Sequence, residues 1–406
     1  MCEIIYVNCG SVRPVMRPRG LPNAQIYGTM EKSAAAHGVS IMKKAIKITA
    51  ITLLTVIIAL LAAAICYVVY VAVQYYRIDD NQTLQIDEGQ TVAQAMTGER
   101  YSIVTYNIGF GAYSPEYSFF MDSGVMEDGT EVTGKYSKGL SEQDVQKNTD
   151  GAVSVLNEQN ADFVFVQEAD TDGDRSYHID QVQALRAQLQ GDMTYAENFH
   201  TAYLLYPFND PHGKNNAGIV TFSKVKITSS VRRGYPVDTG FAKFFDLDRC
   251  FSVNRISVQG GKELVLINSH MSAYDEGGTI RARQLEMLCG VMEEEYAKGN
   301  YVIVGGDFNH ELADSFGTFP STQKQPAWAY PLTNENLPEH FTIAASKEGT
   351  GTCRAAEIPY TPGVNYLTVL DGFIVSDNVR VELVRNIDTG FAYSDHNPVR
   401  MEFVLM

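Results

Sequence analysis

The side chains able to do chemistry stand at the ends of short apolar runs. Asn107 closes YSIVTYNI (101–108), and Gln167-Glu168 close ADFVFVQE (161–168). Asn268 and His270 close ELVLINSH (263–270), and Asp307 and Asn309 stand at the end of YVIVGGDF (301–308). Asp371 lies late in LTVLDGFIV (367–375), and Ser394-Asp395-His396 precede VRMEFVLM (399–406). Taken singly, each has an ordinary explanation. A carboxylate after a strand is commonly a turn residue or a helix N-cap, and a histidine can be a satisfied core group. Together they place four carboxylates, two histidines and several amides at one structural station. Gathering so many ionisable groups is costly unless an ion or a charged substrate joins them. Oxygen-rich ligands suit Mg²⁺, Mn²⁺ or Ca²⁺ rather than a thiolate metal.

These groups need elements that hold them. The runs are apolar almost throughout, as strands buried on both faces are, and AGIVTFSK (217–224) and FSVNRISV (251–258) add two more. Amphipathic stretches at 144–160, 179–190 and 279–299 read as helices, the last stopping at Gly299. Strands alternating with helices and hairpins predict an α/β sandwich, with the polar groups delivered to one edge.

The 406 residues suit one large domain with an appendage, and 45% hydrophobic with 20% charged residues excludes a mostly disordered chain. Net charge is −16. Residues 1–75 carry seven cations against Glu3 and Glu31, or +5, which leaves −21 on the remainder. So acidic a domain repels polyanions at long range and argues against a protein that coats DNA, although a metal site can reverse the field locally. None of the six cysteines has metal-ligand spacing, and Cys250, Cys289 and Cys353 are expected as buried thiols.

Residues 50–73 (AITLLTVIIALLAAAICYVVYVAV) contain no charge, proline or glycine, and are long enough to span ~30 Å of hydrocarbon. Lys43, Lys44 and Lys47 precede the run, and Tyr67, Tyr70, Tyr75 and Tyr76 crowd its far end. This predicts an uncleaved membrane helix within 42–76, with the N-terminus cytoplasmic and the rest of the chain outside. Secretion after cleavage is the alternative. Residues 1–41 lack periodicity and are expected to be a disordered tail or a mis-assigned start, with translation beginning at Met42. Residues 77–100 are polar and read as a stalk leading to a domain at 101–406.

The blocks TYNIG, VQEAD, INSHM, VGGDFNH, LDGFIVS and YSDHNPV, in this order, resemble the signature series of the endonuclease/exonuclease/phosphatase superfamily, whose members include deoxyribonuclease I-like enzymes. The resemblance spans about 101–406. It implies a four-layer α/β/β/α sandwich, two mixed sheets face to face with helices outside, preceded here by one transmembrane helix. It also implies a hydrolase that cleaves phosphate esters by metal-assisted in-line attack of water. Carried onto this chain, Glu168 is the principal ligand of Mg²⁺ (or Mn²⁺, with Ca²⁺ possible), supported by Asn107 and Asp395. Asp307 orients or deprotonates the water, and Asn309 donates to the phosphoryl group. His396 binds the phosphate and is held by Asp371. His270 contacts the phosphate from the other side or protonates the leaving group. Whether Asp307 or a histidine is the base stays open. Arg249 is either a substrate contact or a solvated surface residue.

The substrate is a phosphate ester: nucleic acid, lipid headgroup or small molecule. An aromatic insertion at 109–143 and loops at 311–341 and 353–366 hold rings that either line the cleft or pack the loops down. Rings can stack bases or hold lipid, but no basic stripe accompanies them. A broad phosphodiesterase with nuclease-like activity is slightly favoured over a lipid phosphodiesterase or phosphatase. A catalytically inactive tethered module would lack a polar station, and none is missing. No protein partner is inferred.

Overall fold

The computed structural model describes residues 23–237, 240, 248–273 and 278–406, with side chains from residue 30 onward. It contains α1 (Asn23–Gln74), β1 (Gln82–Thr83), β2 (Ile86–Asp87), β3 (Arg100–Asn107), β4 (Ser123–Val125), β5 (Glu131–Thr133), α2 (Glu142–Gln159), β6 (Phe163–Gly173), α3 (Gln181–Gln188), β7 (Asp192–His200), β8 (Asn215–Ser223) and β9 (Ile227–Gly234). Then follow β10 (Cys250–Ser257), β11 (Glu263–His270), α4 (Thr279–Ala297), β12 (Tyr301–Asp307), β13 (Phe341–Ala344), β14 (Cys353–Arg354), β15 (Leu367–Thr368), β16 (Asp371–Ser376), β17 (Val379–Asn386) and β18 (Val399–Leu405).

Two seven-stranded sheets form the frame. One runs β1-β9-β10-β11-β12-β16-β13 and the other β17-β18-β3-β6-β8-β7-β2. Each mixes one parallel pair (β11 with β12, β3 with β6) with antiparallel neighbours. The apolar strands bury both faces, as their sequences require. Ile103, Phe163, Phe165, Leu266, Ile303 and Phe373 meet between the sheets. On the outside of the first sheet, Val265, Ile267, Val302 and Val304 pack under Leu288 and Met292 of α4. On the outside of the second, Val104, Val164 and Val166 pack under Ala152, Leu156 and Leu185 of α2 and α3. The four layers are therefore helix, sheet, sheet, helix, the sandwich expected from the sequence.

Local chemistry fixes the helix ends. Ser141 caps α2 by accepting from Asp144 N–H, and Asp180 caps α3 by accepting from Gln183 N–H. Gly299, at φ 78°, takes the left-handed conformation that follows α4 and donates to Tyr296 C=O. Cys250 and Cys353 are buried free thiols, and Cys289 is half-buried and free.

Two segments differ from the expectation. Residues 23–41 continue α1 upstream of the apolar run, and 1–22 lie outside the described residues. Residues 77–100 are not a free stalk: β1 pairs with β9, β2 pairs with β7, and Ala95 is fully buried against Val258. Arg77 adds an ion pair to Asp248 at 2.9 Å. Backbone hydrogen bonding, which a polar composition does not reveal, ties this strip to the edges of both sheets. Among the described residues, α1 is the one helix long and apolar enough to cross a membrane.

Candidate active site

The strands bring the polar stations together by register. His270 ends β11 directly beside Asp307 at the end of β12, and Asp307 faces Asp371 across the antiparallel β12–β16 pair. Asp371 thus opens its strand rather than lying late in it, but the antiparallel direction returns it to the same sheet edge. Gly306 makes the close approach possible: at φ 142°, a Cβ there would sit 1.9 Å from the Ser269 carbonyl oxygen. In the second sheet Asn107 lies beside Gln167. The next residue, Glu168, has φ 55° and sits in a bulge between β6 and β8. A left-handed non-glycine residue in a bulge costs about 1 kcal/mol or more and re-aims its side chain, here out of the sheet toward the other sheet's edge.

The site is tightly cross-linked. His396 Nδ1 and Asp371 Oδ2 are 2.7 Å apart. Asp307 Oδ1 accepts from Asn309 N–H at 2.8 Å, and its Oδ2 accepts from Asn107 Nδ2–H at 3.0 Å. The ring Nε2 atoms of His270 and His396 stand 3.6 and 3.8 Å from Asp307 Oδ2. His270 Nε2 is also 3.7 Å from Glu168 Oε1. Ser394 ties the loop before β18 to the end of the neighbouring β3, its hydroxyl donating to Asn107 C=O at 2.8 Å and accepting from His396 N–H at 3.1 Å. Asn309, at φ 48°, directs its amide to Met271 C=O at 2.8 Å.

These contacts set the charges. Burial pushes the Glu168 carboxyl up to about 7, and the neighbouring Asp395 carboxylate adds to the push. Burial also raises Asp395 and Asp307, against the pull of His396. Burial alone would neutralise His396, but Asp371, with Asp307 behind it, holds the imidazole well above its ordinary value. His270 goes the other way: burial and the adjacent Arg249 guanidinium keep it well below. Arg249 donates to His270 Nε2, so the neutral ring carries its proton on Nδ1. The Asn198 amide lies 3.4 Å from that nitrogen with a buried, unpartnered Oδ1, and rotating the amide makes Oδ1 the acceptor of the Nδ1–H.

Above this floor opens a cleft. Glu168, Asp307, Asn309, Asp395 and His396 line it, whereas Asn107, His270 and Asp371 stand behind and position them. Gln167 and Asn268 do not join the site. Gln167 Nε2–H donates to Asn268 Oδ1 at 2.7 Å, and Asn268 Nδ2–H donates to Val220 C=O at 2.9 Å, clamping the two sheets together. Three cations line the cleft: Arg175 and Arg354, which the sequence does not mark as site residues, and Arg249, for which it leaves substrate contact and surface residue both open. Arg175 is neutralised by Asp170 through bonds of 2.7 and 3.1 Å. Arg354 is buried, donates to Ser114 C=O at 3.1 Å, and leaves Nε and Nη1 unpartnered. The position of Arg249 before the strand that pairs with His270's was the available signal. Phe110, Tyr113, Phe119 and Trp328 supply an aromatic wall.

The donor set fits a hard divalent cation. Among the described residues no hydrogen bond reaches the Glu168 carboxylate, which faces the cleft at 21% exposure beside the second raised acid, Asp395. Asn107 Oδ1 accepts from Gly109 N–H at 3.0 Å and keeps one lone pair. Asp307, Asp371 and His396 also cluster closely enough to hold an ion. Their 2.7 Å carboxylate–imidazole bond occupies His396 Nδ1 and Asp371 Oδ2 and leaves Asp371 Oδ1 buried without a hydrogen-bond partner.

Fold and site together define an α/β/β/α sandwich with a carboxylate- and histidine-lined cleft at the edge of its two sheets. Residues 104–396 match the endonuclease/exonuclease/phosphatase family, and the chain belongs to that family. Among solved structures it is similar to TDP2 from Caenorhabditis elegans, at 15% identity over 76% of this chain and 75% of that one, with a TM-score of 0.45. It is similar to an endonuclease/exonuclease/phosphatase from Beutenbergia cavernae DSM 12333, at 17% identity over 75% and 72% with a TM-score of 0.48. A third, from Bacteroides vulgatus, shows 14% identity over 76% and 100% with a TM-score of 0.45. No curated protein matches the chain.

Proposed function

We propose that this protein is a divalent-metal-dependent phosphoesterase that hydrolyses phosphodiester or phosphomonoester bonds by in-line attack of water. The observation that carries this reading is the pair of donor-poor, half-buried acids, Glu168 and Asp395, sharing one cleft with Asp307 and the Asp371-held His396. Glu168 and Asp395 would hold Mg²⁺ or Mn²⁺, with the free lone pair of Asn107 Oδ1 in support. Bound there, the ion would supply Lewis acidity to the phosphate ester.

The protein's own groups supply the rest. His396, kept protonated by Asp371, donates from Nε2 to a phosphoryl oxygen and stabilises charge as it develops. It is therefore a poor base. His270 has its acceptor nitrogen occupied by Arg249, which removes it from the same role and leaves it as a support that holds the Arg249 guanidinium in place. Asp307 is the remaining base, its two oxygens aimed by Asn309 N–H and Asn107 Nδ2–H. Asn309 lines the cleft beside it; its amide donates to Met271 C=O at 2.8 Å and would have to turn from that bond to reach the phosphoryl group. Arg249 and Arg354 add positive charge to a cleft in a domain that is otherwise acidic.

The aromatic wall supports a nuclease-like phosphodiesterase first, since rings stack bases without sequence preference. The apolar run and its upstream lysines support a single-pass anchor with the N-terminus cytoplasmic and the catalytic domain outside. The test is a substrate panel of plasmid DNA, RNA, sphingomyelin and inositol phosphates, using the full chain in detergent with Mg²⁺, with Mn²⁺ and with EDTA. Metal-dependent turnover of any member supports the reading, and no turnover of all members under every metal rejects it.

A further inference from the structure

Loop 201–213, between β7 and β8, carries exposed apolar bulk that the catalytic reading does not use. Phe208 is 83% exposed and Tyr206 63%, and Tyr203 and Leu205 are also exposed. Four such residues within six positions differ from the singly scattered apolar side chains of an ordinary surface. The loop is built to hold them out. Leu204 and Gly213 exchange backbone hydrogen bonds of 3.0 and 3.1 Å across its base, and His212 N–H donates to Tyr206 C=O at 3.2 Å. His212 Nδ1 is fixed 2.7 Å from Ser137 C=O, and the Tyr206 ring rests 5.8 Å from Phe120.

The base of this loop touches the chain where the apolar run ends. Tyr203 N–H donates to Tyr70 Oη at 3.3 Å, and Tyr76 stacks on His200 with ring centres 3.9 Å apart. The apolar run stops at Val73. Chain continuity therefore sets Tyr70 and Tyr76, both exposed, at the hydrocarbon–water boundary, the level aromatic side chains favour.

We propose that residues 203–208 form a membrane-docking tip that beds into the interfacial layer of the bilayer crossed by α1; the inference rests on reading α1 as a membrane span. The tip sequence YLLYPF contains no cation. Docking is therefore interfacial and apolar, and does not require anionic lipid. A run of rings connects tip to site: Tyr206 meets Phe120, Phe120 meets Phe119 at 5.1 Å, and Phe119 lines the cleft. Docking thus brings the cleft mouth toward the headgroup layer.

Trp328 is the single tryptophan of the chain, which makes the test direct. The full chain carrying Trp328→Phe and Phe208→Trp is reconstituted into vesicles of phosphatidylcholine brominated on its acyl chains. The reporter at 208 is expected to emit at shorter wavelength than in detergent-free buffer. It is also expected to be quenched severalfold more by bromine than Trp328 of the unsubstituted protein, and to be shielded from aqueous acrylamide. A reporter quenched by acrylamide and not by bromine, in a chain that alkaline carbonate leaves in the vesicles, overturns the docking proposal alone. A chain that carbonate releases overturns the anchor and the docking proposal together. Metal-dependent phosphoesterase activity is measured separately on the unsubstituted protein, and its outcome decides the catalytic reading independently of docking.

Discussion

Glu168→Gln should make the metal-free protein more stable while removing its response to metal. The wild-type carboxyl is raised from 4.5 to about 7 by burial and by Asp395. An acid whose folded-state value is raised binds its proton more tightly when folded, so stability present below about 4.5 is lost as pH rises through 7. At about 1.36 kcal/mol per unit, the ionised carboxylate costs roughly 3 kcal/mol at pH 8 without metal. Glutamine removes the charge but buries an amide, so a net gain of about 1–2 kcal/mol is expected, a few degrees in melting temperature. At pH 5 the wild-type group is mostly protonated and the difference should fall below about 1 kcal/mol. Metal reverses the order. A ligand at 100 times its dissociation constant stabilises by about 2.7 kcal/mol, and the variant should forfeit that protection. The assay is thermal unfolding of both proteins in detergent, at pH 5 and 8, with EDTA or saturating Mg²⁺. A variant no more stable than wild type in EDTA at pH 8 would refute the burial argument. A variant still fully protected by Mg²⁺ would refute the ligand assignment.

Other expectations follow from the same geometry. Asp371→Asn removes the charge that keeps His396 protonated, and kcat should fall by roughly 10²–10⁴, with the pH profile shifted, while metal protection in thermal unfolding persists. Arg354→Gln should lower kcat/KM by roughly ten- to a hundredfold, mainly through KM, because a charged hydrogen bond to substrate is worth about 1.5–3 kcal/mol; steady-state kinetics on a diester reads this. Away from the site, burial alone would raise the Glu295 carboxyl, but bonds from Arg255 at 2.6 and 2.9 Å, Lys298 at 2.7 Å and Asn300 at 2.9 Å hold it down at about 2. That stability is present above about 4.5 and lost as pH falls toward 2. With both cations open to solvent, Glu295→Gln should cost about 1–2 kcal/mol at pH 7 and little near pH 2, as urea unfolding would show.

Much of the sandwich was legible because its strands are buried on both faces. YSIVTYN, ELVLINSH and YVIVGGD read as unbroken apolar runs ending in polar groups, and the ends met as expected. β17, VRVELVRN, was overlooked: at a sheet edge it needs only alternate apolar positions, and its exposed face carries charge. β7, DMTYAENFH, was hidden because inward-facing polar groups such as Thr194 bond across the sheets, here to Asn254 at 2.8 Å. The same seam took Gln167 and Asn268 out of the site, although their position at strand ends resembled that of the neighbouring Glu168. The bulge that turns Glu168 outward is a backbone feature that side-chain periodicity does not encode. Arg354 was invisible for a different reason. Its burial comes from the aromatic insertion folding against it, a contact 240 positions away in the chain.

Hydrolysis of bis(p-nitrophenyl) phosphate by the full chain, followed through EDTA stripping and Mg²⁺ or Mn²⁺ addition, tests the central claim most directly. The account predicts activity that disappears with EDTA, returns with metal, and falls by orders of magnitude in both Asp307→Ala and His396→Ala. Activity that survives EDTA, or that both variants retain in full, would contradict it.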